Sequence, residues 1–533
     1  MTLDDAVFPE TSADTDVDRI AVERARLQVD AVGGSFWTSV QVVVGLPLAT
    51  VANVVVAHLL GPGAYGTLAV YTLVLGVLTV LVNAGISDAT IQWIATHKAR
   101  DEQGMVTELV RRCSGYHLIV EAPLFAVAVA LLLRDAGWAA IVVGAGSAAL
   151  VQILGTSAVA MSGTGLNALG AKIALASTVA GQTTIIAVGV QSPLAPSVFA
   201  GRLALVLVPT VLAFVLIPKV LRAAVLRPLP PRAFPPGFLP YALRTCASGV
   251  VSSLVFGRPE LLVFDAYGQV EQAGVFALAA GMAALVTAPV DSLLGPLLPA
   301  TAGLLAISPE RAGIALLRGL RTSAMLAGLV AAVGIPVLAP LLTLAYGDAY
   351  AGATTAFVVL GVVSCVGSVN HPVLAFLLAA RRTGLLLGVA LVSLVVDAAI
   401  AILTIPVFGV AGGVLASSVA QLVTLAVIAH RVGSALHVRP VDQLVAMSYV
   451  LTAGATGGIA LFAAGSVPHA PAVVRAAVGL GVAVAVLAVL GRVVPGQGLA
   501  AADVQVIQRG LPRRISRAFL VAIRWLGLEA RTT

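Results

Sequence analysis

Charge is the scarcest property of this chain: only 10% of its 533 residues are Asp, Glu, Lys or Arg, against 59% apolar residues. Soluble domains carry about 25% charged residues, and with a mean hydropathy of +1.03 the shortage excludes an ordinary soluble protein. Lysine is nearly missing, with Lys98, Lys172 and Lys219 set against 28 arginines. That imbalance, with the Ala, Val and Gly richness, reflects a GC-rich bacterial genome rather than a mechanism. Cysteine is equally sparse. Cys113, Cys246 and Cys365 lie far apart in or beside apolar segments, which points to small buried hydrophobes and excludes both a disulfide framework and a thiolate metal site. Residues 1–30 carry eight carboxylates and no basic stretch leading into an apolar core, so no cleavable signal peptide is expected, and the acidic tail reads as a disordered cytoplasmic arm.

What the chain has in abundance is long apolar runs. A membrane-crossing helix needs about 20 mostly apolar residues, and fourteen such segments are expected: 36–58, 67–86, 113–133, 138–161, 173–190, 196–218, 242–264, 274–296, 323–345, 355–379, 384–404, 409–429, 444–464 and 472–491. Basic residues gather on the cytoplasmic side of membrane proteins. Threading the chain through fourteen spans puts 27 of the 31 basic residues on one side, leaving Arg134 opposite and Arg202, Arg258 and Arg475 inside spans. Both termini are therefore expected in the cytoplasm of a bacterial inner-membrane protein. The net charge of +7 follows from this asymmetry and does not call for nucleic acid.

Internal order is visible too. Residues 219–241 hold six prolines and read as a cytoplasmic linker, because proline interrupts helices. On either side, "HLLGPGAYGTLAVY" at 58–71 is echoed by "DAYGQVEQAGVFALA" at 265–279, and "LNALGAK" at 166–172 by "LLAARRTG" at 377–384. The offsets agree, which suggests parallel repeats about an axis normal to the membrane. The stretch "LGPGAYGT" has glycines at the spacing of a phosphate-binding loop, but Thr67 follows Gly66 where that loop needs Lys. It reads as a tight turn between two spans.

The expected architecture is an all-α integral membrane protein of about 14 transmembrane helices. It divides into an acidic tail (1–35), an N-lobe (36–218), the linker (219–241), a C-lobe (242–430), two further spans (443–492) and a basic tail (493–533). In that tail, Ile515, Phe519, Ile523 and Leu526 recur at helical spacing beside Arg513, Arg514, Arg517 and Arg524, a pattern suited to anionic inner-leaflet lipids.

Ionisable groups inside a bilayer cost several kcal/mol unless paired or hydrated (roughly 2.5–3.5 on insertion scales), so each is a candidate site. Arg258 sits in the seventh span beside Pro259 and Glu260, and Arg202 in the sixth. Two guanidinium groups facing one cavity suit a lipid diphosphate; an ion pair with Glu260 or Asp265, or snorkelling of Arg202, suits them equally. Glu121, Asp397 and Asp291 are candidates to carry a coupling proton, or structural hydrogen-bonding groups. Asn53 and Asn83, with Thr50, Thr72 and Thr79, form polar stripes on the first two spans. Such stripes line hydrated paths or join helices to one another. Asn370 and His371 before Pro372 mark a kink.

"LGPGAYG" after the first span, "GRPELLVFDAYGQVEQAGVFALA" at 257–279 and "LLTLAYGDAY…LLAARRTG…IPVFGVAGGVLASSVAQ" within 341–421 resemble the polysaccharide-export flippases of the multidrug/oligosaccharidyl-lipid/polysaccharide (MOP) exporter superfamily. The resemblance covers residues 36–430. It implies two six-helix lobes around a central cavity, and alternating access that carries a polyprenyl-diphosphate-linked oligosaccharide from the inner to the outer leaflet. It also implies a glycan polymerase or glycosyltransferases as partners, and the last two spans resemble the extra pair of lipid II flippases. Within the superfamily two alternatives stand: a lipid II flippase, which calls for a more cationic cavity, and a cation-coupled drug exporter, which calls for a carboxylate in the first span, where none occurs between 36 and 58. No metal-ligand cluster, nucleophile–base pair or complete nucleotide motif is present, so neither an enzyme nor a cofactor is expected.

Overall fold

The computed structural model describes residues 13–232, 234–256, 258–291, 309–380, 383–436 and 440–493. The basic tail expected at 513–528 lies outside them. Every regular element among the described residues is helical, which follows from the bilayer. With no water to satisfy backbone groups, a spanning segment must close its hydrogen bonds within itself. Eleven described helices are long and apolar enough to cross a membrane. Pro47–Asn83 takes in the second half of the first expected span and nearly all of the second, and the two helices meet at Gly61 (φ 71°) within α1 (Ala13–Asn83). The seventh expected span is instead broken into α9 (Phe238–Phe256) and α10 (Glu260–Ala266). The helix also begins at Ala13, inside the acidic stretch expected to be irregular; the run Glu23–Gln28 is built from strong helix formers. Large apolar side chains such as Trp138, Leu403, Val407 and Phe462 are exposed, as lipid-facing residues are.

The chain forms two compact units. The first comprises residues 1–53 and 78–247. It contains α2 (Ile86–Ala99), α3 (Gln103–Tyr116), a π-helical turn (His117–Glu121), α4 (Ala122–Leu132), α5 (Trp138–Gly163), α6 (Asn167–Gln191), α7 (Ala195–Leu216) and the short α8 (Lys219–Val225). Its core gathers Ile94, Leu109, Val110, Ile217, Leu221 and Phe238. The proline-rich segment is tied down rather than loose. Leu229 N donates to the Arg111 carbonyl at 2.9 Å, Ser114 Oγ to that of Val225 at 2.7 Å, and Arg111 Nε to that of Arg227 at 2.8 Å.

The second unit comprises residues 54–77 and 248–533, including α11 (Val270–Asp291), α12 (Pro309–Tyr346), α13 (Ala351–Ser368), α14 (His371–Ala379), α15 (Thr383–Phe408), α16 (Val410–Leu436), α17 (Pro440–Gly465) and α18 (Ala472–Val493). The two echoed glycine turns meet within it. A Cβ on Gly66 would lie 2.1 Å from the Val270 carbonyl oxygen, and one on Gly274 would lie 1.9 Å from that of Pro62. The repeated glycines are therefore needed for backbone-to-backbone contact. Tyr65 meets Tyr350 edge to face at 6.2 Å, and the Tyr350 hydroxyl donates to the Ala57 carbonyl at 3.0 Å.

Candidate functional site

In the second unit, α9 and α10 are separated at Arg258, which has φ 65°. A non-glycine residue in the left-handed region costs about 1–2 kcal/mol, and Pro259 supplies the local reason, since its ring disfavours helical geometry at the residue before it. The break turns the Arg258 guanidinium toward α15 and α16. Its Nη1 donates to Ser417 Oγ at 2.5 Å, and Gln421 Nε2 reaches the same hydroxyl at 3.4 Å. Glu260, 0% exposed, and Asp397, 6% exposed, face one another in the electrostatic range of that guanidinium. Neither Glu260 oxygen has a partner at ordinary hydrogen-bond geometry, and Asp397 Oδ1 has none, although Ser417 adjoins Glu260. Two carboxylates against one guanidinium leave one uncompensated negative charge. A single proton shared between them makes the cluster neutral, which is how buried charge is tolerated.

Charge inside an apolar span identified Arg258 and Asp397 as separate candidates, one for an anionic substrate or an ion pair and one for a coupling proton or a structural hydrogen bond. The structure brings them into one cluster. Glu260 joins it as the fully buried member, and Ser417 and Gln421 complete it. The last two carry no charge to mark them, and only the fold shows that α16 delivers them to this point.

The remaining candidates fall elsewhere. Asp291, half exposed at the end of α11, accepts from Thr287 Oγ1 at 3.0 Å and from Ser368 Oγ at 3.3 Å, with His371 Nε2 at 3.5 Å. His371 begins α14 just after the break at Asn370, so the expected kink also places a His beside a carboxylate. Glu121 and Asn83 meet in the first unit, where Asn83 Nδ2 donates to Glu121 Oε1 at 2.7 Å. Arg202 is exposed on α7 and Asn53 is partly buried on α1, both in the first unit. The Thr72 hydroxyl bonds back to the Leu68 carbonyl of its own helix at 2.8 Å. Among the described residues no group of His, Cys, Asp and Glu is arranged to hold a metal ion.

Comparison with known proteins decides the family. Residues 55–355, more than half of the chain, match the family model described as "Polysaccharide biosynthesis protein". The chain belongs to this family. Among solved structures it is similar to the inward-facing conformation of a multidrug resistance MATE family transporter of the MOP superfamily. That likeness has a TM-score of 0.55 at 18% identity, over 74% of this chain and 95% of that one. It is similar also to the lipid II flippase MurJ in its inward closed conformation, with a TM-score of 0.56 at 12% identity, over 85% of this chain and 98% of that one. No curated protein sequence matches it significantly. This polysaccharide-biosynthesis family member therefore has the fold of the MOP transporters and is a multi-pass membrane protein.

Proposed function

We propose that the chain is an alternating-access flippase that carries a polyprenyl-diphosphate-linked oligosaccharide, a cell-surface polysaccharide precursor, from the inner to the outer leaflet of the bacterial cytoplasmic membrane, with both termini in the cytoplasm. The observation that carries the chemistry is Arg258, partly exposed on a helix break and balanced by two buried carboxyl groups. A guanidinium has five N–H donors in a fork that fits phosphate oxygens. While Glu260 and Asp397 are both ionised, they compete with a diphosphate for that fork. Taking up protons removes the competitors and presents Arg258 to the anion, so proton uptake and substrate binding favour the same state. Arg202, Asn53 and Asn83 are candidates of the first unit for contacts with diphosphate or sugars, and Asp291 of the second unit is a further candidate coupling carboxyl.

The family model, with its polysaccharide-biosynthesis description, supports a glycan-bearing substrate over a drug, and no carboxylate occurs in the first span between 36 and 58. The test follows lipid-linked glycans in cells lacking the protein. The expected outcome is their accumulation on the inner leaflet, restored by the wild-type gene but not by Arg258→Ala. A normal leaflet distribution together with a drug-efflux defect would overturn the proposal.

A further inference from the structure

A second polar cluster lies wholly within the first unit, between the end of α1, the start of α2 and α5, and it is built around a π-helical turn. Such turns insert one extra residue into an α-helix and occur frequently at functional sites. Here the turn puts His117 and Glu121 side by side. Both are almost fully buried, at 3% and 1% exposure, with His117 Nε2 3.3 Å from Glu121 Oε2.

The partners of the pair fix its protons. His117 Nδ1 lies 2.8 Å from Thr156 Oγ1 and within reach of the Gln152 carbonyl. A carbonyl can only accept, so Nδ1 carries hydrogen and Nε2 is left as an acceptor. Nε2 has Ser87 Oγ at 3.1 Å. Ser87 Oγ accepts from the Asn83 amide at 2.7 Å; its own hydroxyl hydrogen is free to rotate, so it yields the single Nε2 lone pair to a proton on Oε2 and accepts from Nε2 once that nitrogen is protonated. On the other side, Glu121 Oε1 accepts from Asn83 Nδ2, whereas Oε2 has no hydrogen-bond donor. The other titratable groups around it are Cys113 and Tyr116 on α3 and Cys246 on α9, none of them cationic; the Tyr116 hydroxyl is spent on the Val82 carbonyl at 2.6 Å. Asp88 of α2 is exposed. A bare carboxylate oxygen in such a place is costly, and a lone pair on Nε2 facing it makes the cost greater. One proton between the two atoms removes both penalties.

We infer that Glu121 and His117 form a proton-exchange site of the first unit, in which a single proton moves between Oε2 and Nε2 and tunes the hold of Asn83 on the end of the second span. With the proton on Oε2, Asn83 donates to a neutral carboxylic acid. When it moves to Nε2, the carboxylate and imidazolium stand side by side, and the Asn83 bond becomes charge-assisted, roughly twice as strong. Loss of a proton from the imidazolium restores the neutral ring. Asn83 is the last residue before Ala84 (φ 49°) and Gly85 (φ 71°), two left-handed residues in succession that separate α1 from α2. The proton is thereby coupled to a strained break in the backbone. As the coupling step of transport, this inference rests on the flippase reading. As a proton site, it does not.

The test uses the full chain in lipid nanodiscs and protons alone as the probe, read by infrared difference spectroscopy across a pH series. A protonated-carboxyl C=O band is expected to titrate in the wild type and to be lost in Glu121→Gln. His117→Asn, which removes the Nε2 acceptor, is expected to move its midpoint by about one pH unit or more, a tenfold change in proton affinity. If Glu121→Gln does not fold, His117→Asn decides alone. A wild-type band whose titrating part is unchanged in Glu121→Gln, so that the difference between the two proteins holds no carboxyl component, or a wild-type midpoint in His117→Asn, would overturn the site. A site that titrates as expected, while Glu121→Gln flips glycan lipid with the wild-type pH profile, would overturn its coupling role and leave the flippase reading standing.

Discussion

Deleting the Arg258 guanidinium leaves Glu260 and Asp397 buried without the cation beside them. Removing one partner of a buried charge cluster costs about 3–5 kcal/mol, whereas replacing the whole cluster by neutral groups of similar shape is close to neutral. Arg258→Met should therefore lower the thermal stability of the purified protein markedly, and adding Glu260→Gln and Asp397→Asn should restore most of it. Glycan export should be absent from both variants, because neither presents a guanidinium to the diphosphate. Recovery of export in the triple variant would reduce Arg258 to a structural ion. At this scale the sequence was informative wherever charge stood out against an apolar background, which is how Arg258, Asp397, Glu121 and Asp291 were recognised. It was silent on Ser417, Gln421, Ser87 and Thr156, because a hydroxyl or amide in a span is usually a helix-packing group and nothing in its spacing says which charged side chain it will meet.

Helix breaks organise the chemistry among the described elements: Arg258 between α9 and α10, Ala84 and Gly85 between α1 and α2, and Asn370 before α14. Proline made the first and third legible in the sequence. The second has no proline, and the π-helical turn at His117–Glu121 has no compositional mark at all. Gly85 gives a direct test. Its left-handed φ disfavours any side chain, and a Cβ there would sit 2.0 Å from the Ala242 carbonyl oxygen. Gly85→Ala should destabilise the first unit by about 1–3 kcal/mol through overpacking and backbone strain, seen as a lower unfolding temperature. Ala84→Gly relieves strain without adding atoms and should leave stability unchanged or raise it. A Gly85→Ala protein with wild-type stability would show that the break is not locked in this conformation.

Across the whole molecule, hydropathy was enough to read the class and the approximate span count, because the bilayer imposes helix length on any sequence that crosses it; the distribution of arginine adds an expected orientation. Orientation is open to direct measurement. In a cysteine-free background, Asp135→Cys should react with a membrane-impermeant thiol reagent added to intact cells, and Gln103→Cys only after the membrane is opened. Both positions are exposed in the structure. Reaction of Gln103→Cys in intact cells would invert the topology. Composition did not reveal that residues 54–77 are counted with the second unit, since chain order places them among the N-terminal spans and nothing local in a turn names its packing partner.

That assignment bears on how the protein is made. The turn at Pro62–Gly66 leaves the ribosome about 200 residues before Val270 and Gly274, the backbone it rests against. At roughly 5–20 residues per second, it waits some tens of seconds in the membrane with its contact face uncovered. Nascent chains stalled before residue 270 should therefore bind membrane chaperones through this hairpin and release them once α11 has entered the bilayer.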